Sequence, residues 1–405
     1  MREVLCMHLD NIKAAREKIQ DVVVKTPLLY SKFFSEKSNN NVYMKCENLQ
    51  LTGAYKLRGA LNKMMSLTDE EKSKGVVCSS AGNHAQGVAY AANLMGIKST
   101  IVMPTTTPYL KVKSTKDLGG NVILNGKVYD DAYNFAKQIE KDEGAVFLHP
   151  FNDINVIYGQ GTIGLEIIED LKDVDVVICP IGGGGLLSGI SLALKEINPN
   201  IKIIGVQASG ANAMEQSFLK GELTSLPSVS TIADGIAVKS PGDLTFSIIK
   251  DYVDEVVTVT DYEIVDAFLA LIEKQKLVAE ASGAVSLAAL SKLNIKDKNV
   301  VCIISGGNID MLTITSLINS ALVSMKRLFC FTIELPNAPG ELNNITRILG
   351  NLRANVVKLE HNQFKAANKL RNTLLEVTVE TNGEDHINTI KDTFKTEGYI
   401  IQQLY

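Results

Sequence analysis

The sequence predicts an α/β protein in which mainly parallel sheets are flanked by helices, followed by a small, separate βαββαβ unit. Three observations predict it. Strand-like and helix-like stretches alternate from residue 41 to residue 304, the order that builds parallel sheets with helices on both faces. Residues 174–180 form an apolar run broken only by Asp175, as expected of a strand covered on both faces. After Lys326 the pattern changes to alternating Phe329, Phe331, Ile333 and Leu335, a strand with one buried face.

Taken in order, Leu9, Ile12, Ala15 and Ile19 recur at helical spacing over residues 9–20. Residues 22–24 and 26–28 read as extended, and residues 41–46 as a strand. Strands follow at 75–79, 99–103, 121–124, 145–148, 174–180, 202–207, 255–259 and 300–304. Helices are expected between them at 85–94, 111–118, 129–140, 159–171, 186–196, 213–220, 261–274 and 279–293. In such sheets ligands sit at the carboxyl ends of the strands. In the C-terminal part, Leu342, Ile345, Ile348, Leu349 and Leu352 make one helical face, and Ile387, Ile390 and Phe394 mark a second helix stopped by Gly398. With strands at 355–359, 374–380 and 399–404, the order is that of a ferredoxin-like unit, joined near residues 322–326.

The 405 residues are enough for two or three domains, and 45% hydrophobic with 21% charged residues places the chain among soluble globular proteins. A formal net charge of −4 argues against a nucleic-acid binder. No apolar run reaches membrane-spanning length, and the N-terminus lacks a signal-peptide pattern, so a cytoplasmic location is expected. The six cysteines include no CxxC pair and no accompanying His cluster, which excludes a zinc ribbon or a disulfide framework.

Five stretches are candidates to carry chemistry. Lys56 follows a Thr-Gly turn and has small or aromatic neighbours, Gly53, Ala54, Tyr55, Gly59 and Ala60, which allow close packing; burial lowers a lysine's pKa and makes its amine a nucleophile towards carbonyls. Most lysines are instead solvated charges. Gly182, Gly183, Gly184 and Gly185, followed by Leu186, link a strand to a helix. Four glycines can turn their amides towards one point at a helix N-terminus, a phosphate cup, where a plain turn needs only one or two. The Lys-Ser/Thr ending of a nucleotide P-loop and the GxGxxG spacing are both missing. Ser80, Ala81, Gly82, Asn83 and His84 form another strand-to-helix turn able to hold a carboxylate, or to serve as an ordinary cap. Ser305, Gly306, Gly307 and Asn308 end the strand at 300–304. Glu280 lies in a run of small residues, where a carboxylate is most often solvated or capping.

A nucleophilic lysine, a phosphate cup and a carboxylate cradle together fit pyridoxal 5′-phosphate (PLP). With these motifs in this order, the chain resembles the threonine dehydratases (threonine ammonia-lyases) of the tryptophan-synthase-β family of PLP enzymes, fold type II, with a C-terminal ACT domain. The resemblance spans nearly the whole chain and rests on residues 45–60, 80–86, 182–186 and 305–310. It implies a two-lobed PLP-dependent catalytic domain over residues 1–323, its smaller lobe at roughly 43–150, and an ACT regulatory domain over 327–405. It implies that Lys56 carries the cofactor and moves the Cα proton, that Asn83 faces the cofactor's 3′-oxygen, that residues 182–186 bind its phosphate and that Ser305 meets its ring nitrogen. The turn from Ser80 to His84 would receive the substrate carboxylate. Tyr55 stands where the family usually has Phe, and Ala54 where it often has Ser. The implied reaction is deamination of L-threonine to 2-oxobutanoate and ammonia, with L-serine as a second substrate.

Several other readings compete. Serine racemases and serine dehydratases share the scaffold, but the racemases carry a divalent-metal site whose two acidic positions read Gln207 and Ala213 here, so no metal is expected. Cysteine synthases do not usually carry the C-terminal domain. A non-catalytic amino-acid sensor would not need Lys56 and the cup. A nicotinamide dehydrogenase would need an acid near Gln207. For the ACT-like unit, the resemblance implies an effector turn at Asn337, Ala338, Pro339, Gly340, Glu341 and Leu342, a small amino-acid effector (isoleucine inhibiting, valine opposing), and a homodimer or homotetramer.

Overall fold

The computed structural model describes residues 2–362 and 371–404. The chain divides into two compact units, Met1–Asp310 and Met311–Tyr405. In the first, β1 (Leu28–Tyr30) and β2 (Asn41–Cys46) open a large sheet. A smaller sheet follows, made of β3 (Val76–Ser79), β4 (Ser99–Met103), β5 (Asn121–Leu124) and β6 (Val146–Phe147). The chain then returns to the large sheet through β7 (Val176–Pro180), β8 (Lys202–Ala208), β9 (Glu255–Val259) and β10 (Asn299–Ile304). The large sheet has the order β1-β2-β10-β7-β8-β9 and the small one β5-β4-β3-β6. Every pairing is parallel except that of β1 with β2. The predicted parallel sheets are therefore present, and β3, β4 and β7 are buried along their whole length, which is why they read as apolar runs.

Each sheet has its own core. Val76, Cys78 and Ile101 pack against Leu57, Leu61 and Val88 of flanking helices, and Val177, Cys179 and Val301 pack against Ile163, Leu187 and Ile190. The carboxyl ends of β3, β7 and β10 carry the turns at residues 80–83, 182–185 and 305–308, so the topology gathers the three motifs at strand ends.

Helices at Lys32–Ser38, Asp69–Lys74 and Asp243–Tyr252 escape the sequence reading. The second buries none of its residues; its capping box, Thr68 with Glu71, holds a turn that has no apolar period to detect. The predicted helix at 261–274 is α-helical only over Asp261–Ala270 and continues as a π turn over Leu271–Gln275 that ends at Lys276 with φ 58°.

The second unit begins with the helix Met311–Ser324, followed by β11 (Leu328–Pro336), β12 (Val356–Asn362), β13 (Asn372–Glu380) and β14 (Ile401–Gln403). Helices Glu341–Asn351 and Glu384–Thr396 complete the βαββαβ order, and the antiparallel sheet has the order β12-β13-β11-β14. Phe329, Phe331, Ile333 and Leu335 are buried against Ile345, Leu349, Ile390 and Phe394, as their alternation predicts.

Candidate active site

Lys56 is the first residue of the helix Lys56–Met65. The backbone before it is stitched to the turn after β10: Tyr55 N donates to Ser305 O at 3.2 Å, Gly307 N to Gly53 O at 2.8 Å, and Ala54 forms a β-bridge with Gly306. Lys56 lines a cavity of about 830 Å³ that also takes in Tyr55, Asn83 and Gly182 to Leu186. Among the described residues no hydrogen bond or ion pair engages its amine. Burial holds that amine below the ordinary lysine value, and the nearby Glu280 carboxylate opposes the shift.

The glycine turn is glycine for reasons of space. A side chain at Gly183 would collide with the Phe151 ring, and a Cβ at Gly184 would lie 2.8 Å from Thr245 Cβ at a φ of +99°. Thr245 Oγ1 donates to Gly183 O at 2.6 Å and fixes the turn from outside. No described hydrogen bond uses the N–H groups of Gly182 to Gly185, and the helix Gly185–Ile197 has no side-chain cap. The turn is thus an anion cradle on the same cavity as the lysine.

The helix Asn83–Met95 starts at the second turn, again without a side-chain cap. Ser80, Ala81, Gly82 and Asn83 line the cavity. His84 does not. Its side chain is 1% exposed and its Nε2 sits 3.0 Å from Leu148 O. Burial, reinforced by Lys56, pushes its pKa down to about 3, so the ring is a neutral packing group. Ser305 is buried at the end of β10, with Oγ donating to Ser282 O at 3.4 Å.

Other groups at the site escaped the sequence reading, and Glu280 takes a part there that the sequence reading does not give it. Phe151 backs the glycine turn and stacks edge-on with His149, ring centroids 4.6 Å apart. His149 lines the cavity, and burial lowers its pKa to about 4. Glu280 is buried rather than solvated, lines the cavity, and has its pKa raised to about 7 by burial. Behind Lys56, Arg58 is fully buried between Glu47 and Glu166: Nη2 lies 2.8 Å from Glu47 Oε1, and Nη1 lies 2.6 Å from Glu166 Oε1. Lys45 completes this cluster at 2.6 Å from Glu166 Oε2. Gln207, at one of the racemase metal positions, accepts from Glu215 N at 2.8 Å through Oε1 and so holds the start of the helix Ala213–Lys220.

This set of groups suits a phosphorylated aldehyde: an uncommitted amine and unclaimed backbone N–H groups share one cavity. The family model described as pyridoxal-phosphate dependent enzyme matches residues 19–306, and the chain belongs to that family, whose members depend on PLP. It is 47% identical over 395 residues to an L-threonine ammonia-lyase of Thermotoga maritima, covering 97% of this chain and 98% of the relative. Among solved structures, it is similar to threonine deaminase isoform 2 of Solanum lycopersicum, with TM-score 0.77, 39% identity, and coverage of 79% of this chain and 89% of that one. Maize serine racemase matches with TM-score 0.74, 39% identity, and coverage of 78% of this chain and 98% of that one.

Proposed function

We propose that this chain is a threonine ammonia-lyase, which converts L-threonine to 2-oxobutanoate and ammonia and accepts L-serine as a second substrate. The observation that carries the reading is that the uncommitted Lys56 amine and the Gly182 to Gly185 cradle line one cavity. PLP, when bound, supplies an aldehyde that takes up amines and a ring that accepts the electrons of a broken Cα–H bond. Lys56 Nζ would hold that aldehyde and would take the substrate's Cα proton. The N–H groups of Gly182 to Gly185, with Leu186, bind the phosphate. Asn83 would meet the 3′-oxygen, Tyr55 would back the ring and Ser305 would meet its nitrogen. Of the turn running from Ser80 to His84, the N–H groups of Ala81 and Asn83, which no described hydrogen bond uses, would take the substrate carboxylate.

An assay for 2-oxoacid formation from L-threonine and from L-serine tests the reading; no product from either would refute it. The similarity to maize serine racemase keeps a racemase as the second reading. Release of D-serine from L-serine, followed by chiral chromatography, would favour it.

We also propose that residues 1–323 form the catalytic domain and residues 327–405 an ACT regulatory domain. The βαββαβ order supports the latter, with Asn337, Pro339, Gly340, Glu341 and Leu342 as its effector turn. Gly340 holds φ +97° at the start of the helix Glu341–Asn351, an arrangement that opens backbone N–H groups towards a small carboxylate. Isoleucine is the expected inhibitor and valine its opponent, in a cytoplasmic homodimer or homotetramer. Truncation after Met325 should leave deamination and remove the response to isoleucine; unchanged inhibition would refute the assignment.

A further inference from the structure

Three amide and carboxyl side chains from separate turns form one directed chain beside Lys56. Asn308 Nδ2 donates to Thr52 O at 2.7 Å and to Asn83 Oδ1 at 2.9 Å. Asn83 Nδ2 in turn donates to Glu280 Oε1 at 2.7 Å. The two ends of a side-chain amide look alike by shape, so its orientation has to be deduced from its partners. Here Thr52 O decides it. A backbone carbonyl can only accept, so Asn308 must present its NH₂ end to that corner. Asn83 must then turn its oxygen to Asn308, and its own NH₂ end falls towards Glu280. One of the two Asn83 Nδ2 protons goes to Glu280, and no described hydrogen bond uses the other.

Glu280 is shaped for the last place in this chain. It is 7% exposed and lines the cavity. Burial and Asp234 raise its pKa, while Ser282, Asn83 and Lys56 lower it. Oε1 can accept from Asn83 in either protonation state, because a proton on the carboxyl can reside on the other oxygen. Gly306 makes room for the contact: a Cβ there would lie 2.7 Å from Glu280 Oε1 and 3.1 Å from Asn83 Nδ2.

We propose that Glu280 is a positioning residue which, with Asn308, locks the Asn83 amide so that an N–H rather than a C=O faces the cavity. The amide then offers a fixed donor to an anionic oxygen of the bound aldehyde cofactor and would repel it if flipped. This inference rests on the PLP reading of the site.

The test compares Glu280→Ala, Glu280→Gln and Asn308→Asp in the full-length protein. PLP affinity is measured by adding the cofactor to the cofactor-free protein, and the visible band of the bound cofactor is recorded. Loss of the terminal acceptor in Glu280→Ala should weaken PLP binding by roughly tenfold, the worth of a charge-assisted hydrogen bond, and shift the band. Glu280→Gln restores an acceptor oxygen and should recover most of both. Asn308→Asp cannot donate to Thr52 O or Asn83 Oδ1 and should be the weakest binder. Equal affinities and spectra in all three would overturn the proposal, as would a Glu280→Gln variant as impaired as Glu280→Ala. A cofactor-free readout separates this inference from the function. The side-chain amide resonances of Asn83, assigned by their loss in Asn83→Ala, should move in Glu280→Ala. If they do not, the lock is refuted; if they move while the parent protein takes up no PLP, the PLP reading fails and the lock stands.

Discussion

Lys45 and Lys56 belong to one stretch of chain, and the fold treats them in opposite ways. Lys45 is fully buried, with Nζ 2.6 Å from both Glu166 Oε2 and Thr26 O. Arg58, two residues past Lys56 on the same helix, is likewise enclosed by Glu47 and Glu166, which raise its pKa despite burial. Lys56 reaches the cavity with its amine unbonded and its pKa lowered. The difference teaches that burial alone does not make a lysine reactive. A buried cation matched by carboxylates is scaffold, and one left without them is available for chemistry.

Substitutions can break this contrast. On the proposed reading Lys56→Ala removes both the attachment point and the base and should reduce turnover by roughly a thousandfold or more; a 2-oxoacid assay and the missing visible band would report it. Arg58→Leu should leave Glu47 and Glu166 buried without their partner and cost about 3–5 kcal/mol, read as a fall in the denaturation midpoint. Lys45→Met should cost stability in the same way, by roughly 3 kcal/mol. It should still take up PLP, since Lys45 does not line the cavity.

Buried bases without a carboxylate also set a pH dependence. His84 has a folded pKa of about 3 against about 6.5 for an ordinary histidine, so below pH 6.5 the unfolded chain binds a proton that the folded chain refuses. Stability should therefore fall as the pH drops from 6.5 towards 3, by about 1.4 kcal/mol per pH unit for this group, and His84→Gln should flatten the slope in urea titrations. The smallest effect belongs to Lys56 itself. Its folded pKa is lowered, so it opposes folding below the unfolded value, and the cost fades as the pH rises from the folded value to the unfolded one. The cofactor-free Lys56→Met variant should melt slightly higher than the parent at neutral pH, and the gap should close in alkali.

The sequence made much of this legible. Lys56 and the glycine turn announced themselves through small residues, because close backbone approach leaves a mark on composition. The parallel sheets were legible because strands covered on both faces, such as β7, must be apolar. What stayed hidden is what depends on distant partners. Glu47, Glu166 and Lys45 look like surface charges until three elements bring them together. Glu280 reads as solvated or capping because its partner Asn83 lies far back in the chain. Phe151 and Thr245 carry no motif, and only the packing of the glycine turn reveals them.

The strand order also carries a kinetic consequence. The small sheet uses only residues 76–147, so it can assemble soon after that segment leaves the ribosome. β2, which leads into the lysine helix, has to wait for β10, its parallel neighbour from the far end of the unit. Asn308 comes later still. A growing chain therefore carries Lys56 long before it has a cavity to put it in. Cofactor capture becomes a late event in biogenesis, tied to the slow closure of long-range pairings.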